Sequence, residues 1–203
     1  MDGQTYLSQI SGEVRPEKKN VSNIFKSKFF IVGAIGVVGL ILIMILGMFV
    51  GGGTSIEDQA VTLKVRLDNT AEMISEYQPS IKSSELRSVS ASFGGIVANT
   101  SKELGDYLTE AYGYKEGSEK ANIKEDEDLH KDGLNEELFK AKITGVLDRI
   151  YAHKMAYEIS LIVSIENKLA NATNSETLKN LLTTSDKSLR VIYDKFDNYS
   201  EAK

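Results

Sequence analysis

Hydrophobic and polar positions divide this chain into one continuous apolar run followed by a series of periodic segments. Residues 29–50 (FFIVGAIGVVGLILIMILGMFV) contain no charged or polar side chain. At 1.5 Å of rise per residue the run matches the hydrocarbon core of a bilayer, which predicts a transmembrane helix. Residues 1–28 show little hydrophobic periodicity and mix Gly, Ser, Asn, Gln and Pro, the composition of a disordered tail. Residues 51–56 open with three glycines, the composition of a flexible joint.

Beyond the joint the pattern is helical. Thr54-Ser55-Ile56-Glu57 reads as a capping box, and Ala60, Leu63, Leu67, Thr70, Ile74 and Tyr77 step by three and four until Pro79. A second helix is predicted over 83–111, with Leu86, Val89, Phe93, Val97, Thr100, Leu104, Tyr107 and Ala111 on its apolar face. Ser84, Ser88, Ser92 and Gly95 form a small-residue stripe on the same segment, a surface that permits close backbone approach. Residues 113–134 are polar, charged and punctuated by glycine, which predicts a long loop. A third helix is expected from Asn135 to Leu169 through Phe139, Ile143, Val146, Ile150, His153, Tyr157, Leu161 and Ile165. After the turn at 171–175, capped by Thr173 or Asn174, comes the cleanest repeat: Leu178, Leu182, Ser185, Leu189, Ile192, Phe196 and Tyr199. The expected fold is all-α, a single N-terminal transmembrane helix followed by an antiparallel four-helix bundle over 57–203.

Charge adds an orientation. Residues 1–28 carry a net +2, residues 29–56 no charge, and residues 57–203 a net −7. Lys26 and Lys28 stand directly before the apolar run, and the next basic residue is Lys64. The positive-inside rule then predicts a cell-membrane protein with a cytoplasmic N-terminus and residues 57–203 extracytoplasmic. A cleaved signal peptide is the rival, but its hydrophobic region is normally shorter than this run. An acidic exported part argues against nucleic acid as a partner, because phosphates demand clustered basic groups. The chain has no cysteine, which excludes disulfides and thiolate metal sites. Gly33, Gly36 and Gly39, with the Gly47/Gly51 pair, offer a surface for helix association within the membrane.

Candidate chemistry is thin. Glu127-x-x-His130 has the spacing of one half of a di-iron carboxylate motif, but the position three residues before His153 is Ile150, so the second half is missing. Asp128, His130, Asp132 and Gly133 match the start of an EF-hand loop, and Phe139 then falls where the bidentate glutamate belongs. His153 lies on the predicted apolar seam as a core or boundary residue. Asn99, Asn171 and Asn198 begin N-x-S/T triplets, Asn99 and Asn198 inside predicted helices. The expectation is therefore no catalytic, metal or cofactor-binding residue and no cofactor. The function expected is a non-enzymatic protein-interaction or structural module at the cell envelope, its partners being the lipid bilayer and either an envelope protein or a second copy. An extracytoplasmic ligand-sensing bundle and a weak metal-binding bundle are the alternatives.

Overall fold

A computed structural model describes residues 55–199. The tail 1–28, the predicted membrane span 29–50 and the glycines of the joint lie outside the described residues. No helix among the described residues is long and apolar enough to cross a membrane. Five α-helices follow in order: α1 (Ile56–Tyr77), α2 (Ser84–Tyr112), α3 (Ala121–Ile143), α4 (Leu147–Ala172) and α5 (Glu176–Asp197). A 3₁₀ turn over Gln78–Ser80, carrying Pro79, links the first two.

Serines start three of the helices. Ser55, Ser83 and Ser175 each accept a hydrogen bond from the backbone N–H three residues on, satisfying a donor that the helix itself leaves free. The cap of α1 is thus Ser55, which ends the predicted joint before residue 55. The cap of α5 is Ser175, one residue beyond the predicted pair, and Thr173 Oγ1 instead accepts from the Ser175 N–H at 3.1 Å.

Cross-helix contacts give the topology. Asp68 meets Ser101, Gly94 lies against Ile74, and Gly105 against Lys64, so α1 and α2 run antiparallel. Thr100 bonds Ser185 and Phe93 packs edge-on against Phe196, so α2 and α5 are also antiparallel. Asn167 reaches Asp186 across the α4–α5 hairpin. Together α1, α2, α5 and α4 close a four-helix ring around Leu63, Leu67, Phe93, Leu104, Tyr151, Leu182, Leu189 and Phe196, all buried. Helix α3 lies outside this ring against α1 and α4. It runs parallel to α1, with Lys120 paired to Asp58, Lys131 to Glu72, and Asn135 to Tyr77.

The bundle is therefore helical as expected, with five helices in place of four. Two expectations are corrected. The predicted loop 113–134 is a connection of only eight residues, 113–120, followed by the first half of α3. Its helical period was masked by composition. The positions facing the bundle are Ile123, Glu127, His130, Leu134, Leu138 and Ala141, spaced 4, 3, 4, 4 and 3, and two of the six are polar. The predicted third helix over 135–169 is also two helices. Gly145, at φ 77°, takes the left-handed conformation after α3. Val146 N–H then bonds Ala141 C=O at 3.0 Å and Gly145 N–H bonds Lys142 C=O at 3.3 Å, the paired bonds of a Schellman stop.

Candidate functional site

The seam between α3 and the ring is closed by a charged cluster in an otherwise apolar setting. Arg66 on α1 points outward from the ring, where α3 and α4 cover it. Its guanidinium grips Glu127 of α3 with two bonds, Nε–Oε2 at 2.5 Å and Nη2–Oε1 at 3.0 Å. Planar donors against a planar carboxylate give this pair both strength and a fixed geometry. Nη1 also reaches Glu158 Oε1 of α4 at 3.4 Å. The other Glu158 oxygen lies 2.8 Å from His130 Nε2, and Thr70 Oγ1 stands 3.4 Å from Oε1. Glu127 and Glu158 are both buried.

Burial by itself raises the pKa of Glu158. The His130 hydrogen bond and the Arg66 charge together outweigh that, and hold it below the ordinary carboxylate value. Burial likewise opposes the charge on Arg66, and the two glutamates more than offset it, so its pKa is raised. Two carboxylates face one guanidinium, and the cluster is electrically neutral when His130 carries its second proton. Its chemistry is that of a polar clamp: every ionisable group is spent on another, across three helices.

The Glu127/His130 pair noted in the sequence thus sits on a core-facing helix rather than in a loop. Glu158 completes a carboxylate–histidine set with it, but the Arg66 guanidinium supplies the positive charge that these carboxylates require. No group of three or more His, Asp or Glu among the described residues is arranged to hold a metal. The EF-hand reading ends here too, since Asp128, His130, Asp132 and Gly133 are helical and cannot wrap a cation as a loop does. His153 is exposed, not at the core boundary. Of the predicted α4 seam, Leu161 and Leu169 are buried while Ile150, Tyr157 and Ile165 are only partly so; the inward row is Leu147, Tyr151, Met155, Glu158, Ile162, Glu166 and Leu169. Buried glutamates at two of these seven positions made the neighbouring apolar row look like the core face. Asn99, Asn171 and Asn198 are all exposed, the first two on helices.

Glu166 is a buried carboxyl outside the clamp, 1% exposed, on α4 where it meets α5. Neither of its oxygens has a hydrogen-bond partner among the described residues. Burial pushes its pKa up, the nearby Ser185 hydroxyl draws it partly back, Asp186 raises it further, and the result is about 8. Ser185 Oγ accepts a bond from Thr100 Oγ1 at 3.1 Å. No sequence signal distinguished Glu166 from a surface glutamate.

Two open clefts lie among the described residues. One, of about 720 Å³, lies at the end of the bundle beside Lys82, Lys142, Asp148 and Tyr199. Asp148 there already accepts from the Lys82 and Ser83 backbone N–H groups at 3.0 and 2.7 Å, filling the anion position at the start of α2. The other, of about 450 Å³, runs along the α1–α2 groove over Asp68, Ser101 and Gly105. The small-residue stripe Ser84, Ser88, Ser92 and Gly95 is solvent-exposed, while Gly94 is the glycine that meets α1.

Helix α3 has a second face. Leu129, Phe139 and Ile143 point away from the bundle with 64, 56 and 67% of their surfaces in solvent. No family model matches this chain, and no curated protein or solved structure matches it either.

Proposed function

We propose that this protein is a single-pass, membrane-anchored helical bundle that acts by contacting other proteins at the cell envelope, and that it performs no catalytic step itself. In this reading residues 29–50 are the anchor, residues 1–28 are cytoplasmic, and the bundle is extracytoplasmic. The observation that supports it best is the outer face of α3. A helix that has already buried one face against α1 and α4 presents three large apolar side chains on the opposite one. Solvating them costs about 25 cal/mol for each Å² of apolar area, a cost that contact with a partner removes. The charged clamp supports the same reading, because it holds this peripheral helix in a defined position without offering a free nucleophile or base.

The test is site-specific photocrosslinking of the full chain in its native membrane. A photoreactive residue in place of Phe139 or Ile143 is expected to yield discrete protein adducts. The same residue in place of Lys187, exposed on α5, serves as the control. Equal adduct patterns from all three positions, or adducts from none, would overturn the proposal.

A further inference from the structure

Glu166 is a buried carboxyl that the fold leaves unanswered. It stands on α4 against α5, and neither oxygen has a hydrogen-bond partner among the described residues. Buried polar groups are nearly always paired, so an orphaned carboxyl calls for an explanation. An ionised carboxylate without donors or a cation is far costlier to bury than the neutral acid.

Its surroundings offer little to an anion. Ser185 Oγ of α5 accepts from Thr100 Oγ1 of α2 at 3.1 Å, which leaves the Ser185 hydrogen as a nearby donor outside bonding geometry. The ionisable group that acts on Glu166 is Asp186 of α5, a like charge that disfavours ionisation. Asp186 is in turn held by Arg190 Nε at 2.8 Å and Asn167 Nδ2 at 3.3 Å. Arg66 of α1 and Glu127 and His130 of α3 join the clamp around Glu158, about two turns away along α4.

Glu166 also sits where the hairpin is thinly packed. From 166 to 178, the end of α4, the turn and the start of α5, the buried side chains besides Glu166 are Leu169, Thr173 and Leu178. Further along, the same two helices bury Tyr151, Met155, Ile162, Leu189, Ile192 and Phe196, among others. Segments with few buried apolar contacts open at lower free energy than the whole fold.

We propose that Glu166 is a proton-operated latch for the tip of the α4–α5 hairpin, residues 166–178: the tip stays docked while the carboxyl keeps its proton and opens as the proton is lost. The docked tip holds the proton to about pH 8, whereas the open, solvated one releases it near 4.5. Opening between these values sets one proton free, so the opening constant rises about tenfold with each pH unit. It levels off above about pH 8, where both forms are ionised. One end of the bundle is thus tightened by acid and loosened as pH rises.

Amide hydrogen exchange of the full chain in detergent, read by mass spectrometry, tests the latch. Parent and Glu166→Gln are compared at equal pH, which cancels the intrinsic pH dependence of exchange. Over 166–178 the ratio of parent to variant rates is expected to rise about a hundredfold from roughly pH 5.5 to 7.5, and to flatten above about 8. Urea below the unfolding transition is expected to leave exchange of the tip nearly unchanged, since a local opening exposes little surface, while accelerating exchange in α1. Glu166→Leu, which puts an apolar group at the same site, replaces Gln as the reference if the Gln chain does not fold. A ratio over 166–178 that is constant with pH overturns the latch. So does a ratio that changes while the tip responds to urea as steeply as α1, because Glu166 then ionises only when the whole bundle unfolds.

Discussion

Replacing Glu166 by Gln removes a proton-binding site from the bundle interior while keeping the side chain's shape. In the fold this carboxyl holds its proton to about pH 8, and the unfolded chain releases it near 4.5. Across that interval the unfolded state binds fewer protons than the native one, so stability falls as pH rises. Each pH unit is worth about 1.4 kcal/mol, and the full interval about 5 kcal/mol. At pH 5 both forms carry a neutral side chain at 166, and their stabilities are expected to agree to within about 1 kcal/mol. At pH 8.5 the Gln variant is expected to be the more stable by roughly 4 to 5 kcal/mol. The assay is urea unfolding of the full chain in detergent, followed by helical circular dichroism at several pH values. Taking the difference between variant and parent cancels the contributions that the two chains share. A difference that stays flat from pH 5 to 8.5, or a Gln variant less stable at pH 8.5, would refute the argument and imply that Glu166 is solvated or paired.

Other substitutions probe the rest of the fold. Arg66→Ala leaves Glu127 and Glu158 buried without their cation and is expected to cost about 3–5 kcal/mol, with amide exchange rising first along α3. Glu158, whose pKa is lowered in the fold, contributes stability that is present above about pH 4.5 and is lost as pH falls through its folded value; Glu158→Gln should therefore diminish the acid-induced part of the unfolding curve. Gly95→Ala, at an exposed helical site with nothing within 4 Å of the new Cβ, should stabilise by about 0.5–1 kcal/mol. Gly145→Ala, at φ 77°, should destabilise by about 1 kcal/mol, and thermal melts of the pair separate the two signs. Phe196→Ala removes a ring that packs edge-on against both Phe93 and Tyr151 and should cost about 3–5 kcal/mol.

The sequence by itself determined the helical class and the two helices that bracket the core most cleanly. Ala60, Leu63, Leu67, Thr70, Ile74 and Tyr77 on α1, and Leu178, Leu182, Ser185, Leu189, Ile192 and Phe196 on α5, are buried as their spacing requires. These faces are almost wholly apolar, so hydrophobic periodicity and burial are the same signal there. Tertiary structure alone decided α3, the register of α4, and the clamp between them. A glutamate in a core slot cannot be told from a surface glutamate until the partner that compensates its burial is known. Arg66, Glu127 and Glu158 come from positions up to 92 residues apart, a juxtaposition that no local pattern encodes. Phe139 and Ile143 make the converse case. Their spacing reads as core, yet Arg66 draws the polar face of α3 inward and turns these apolar residues out to solvent.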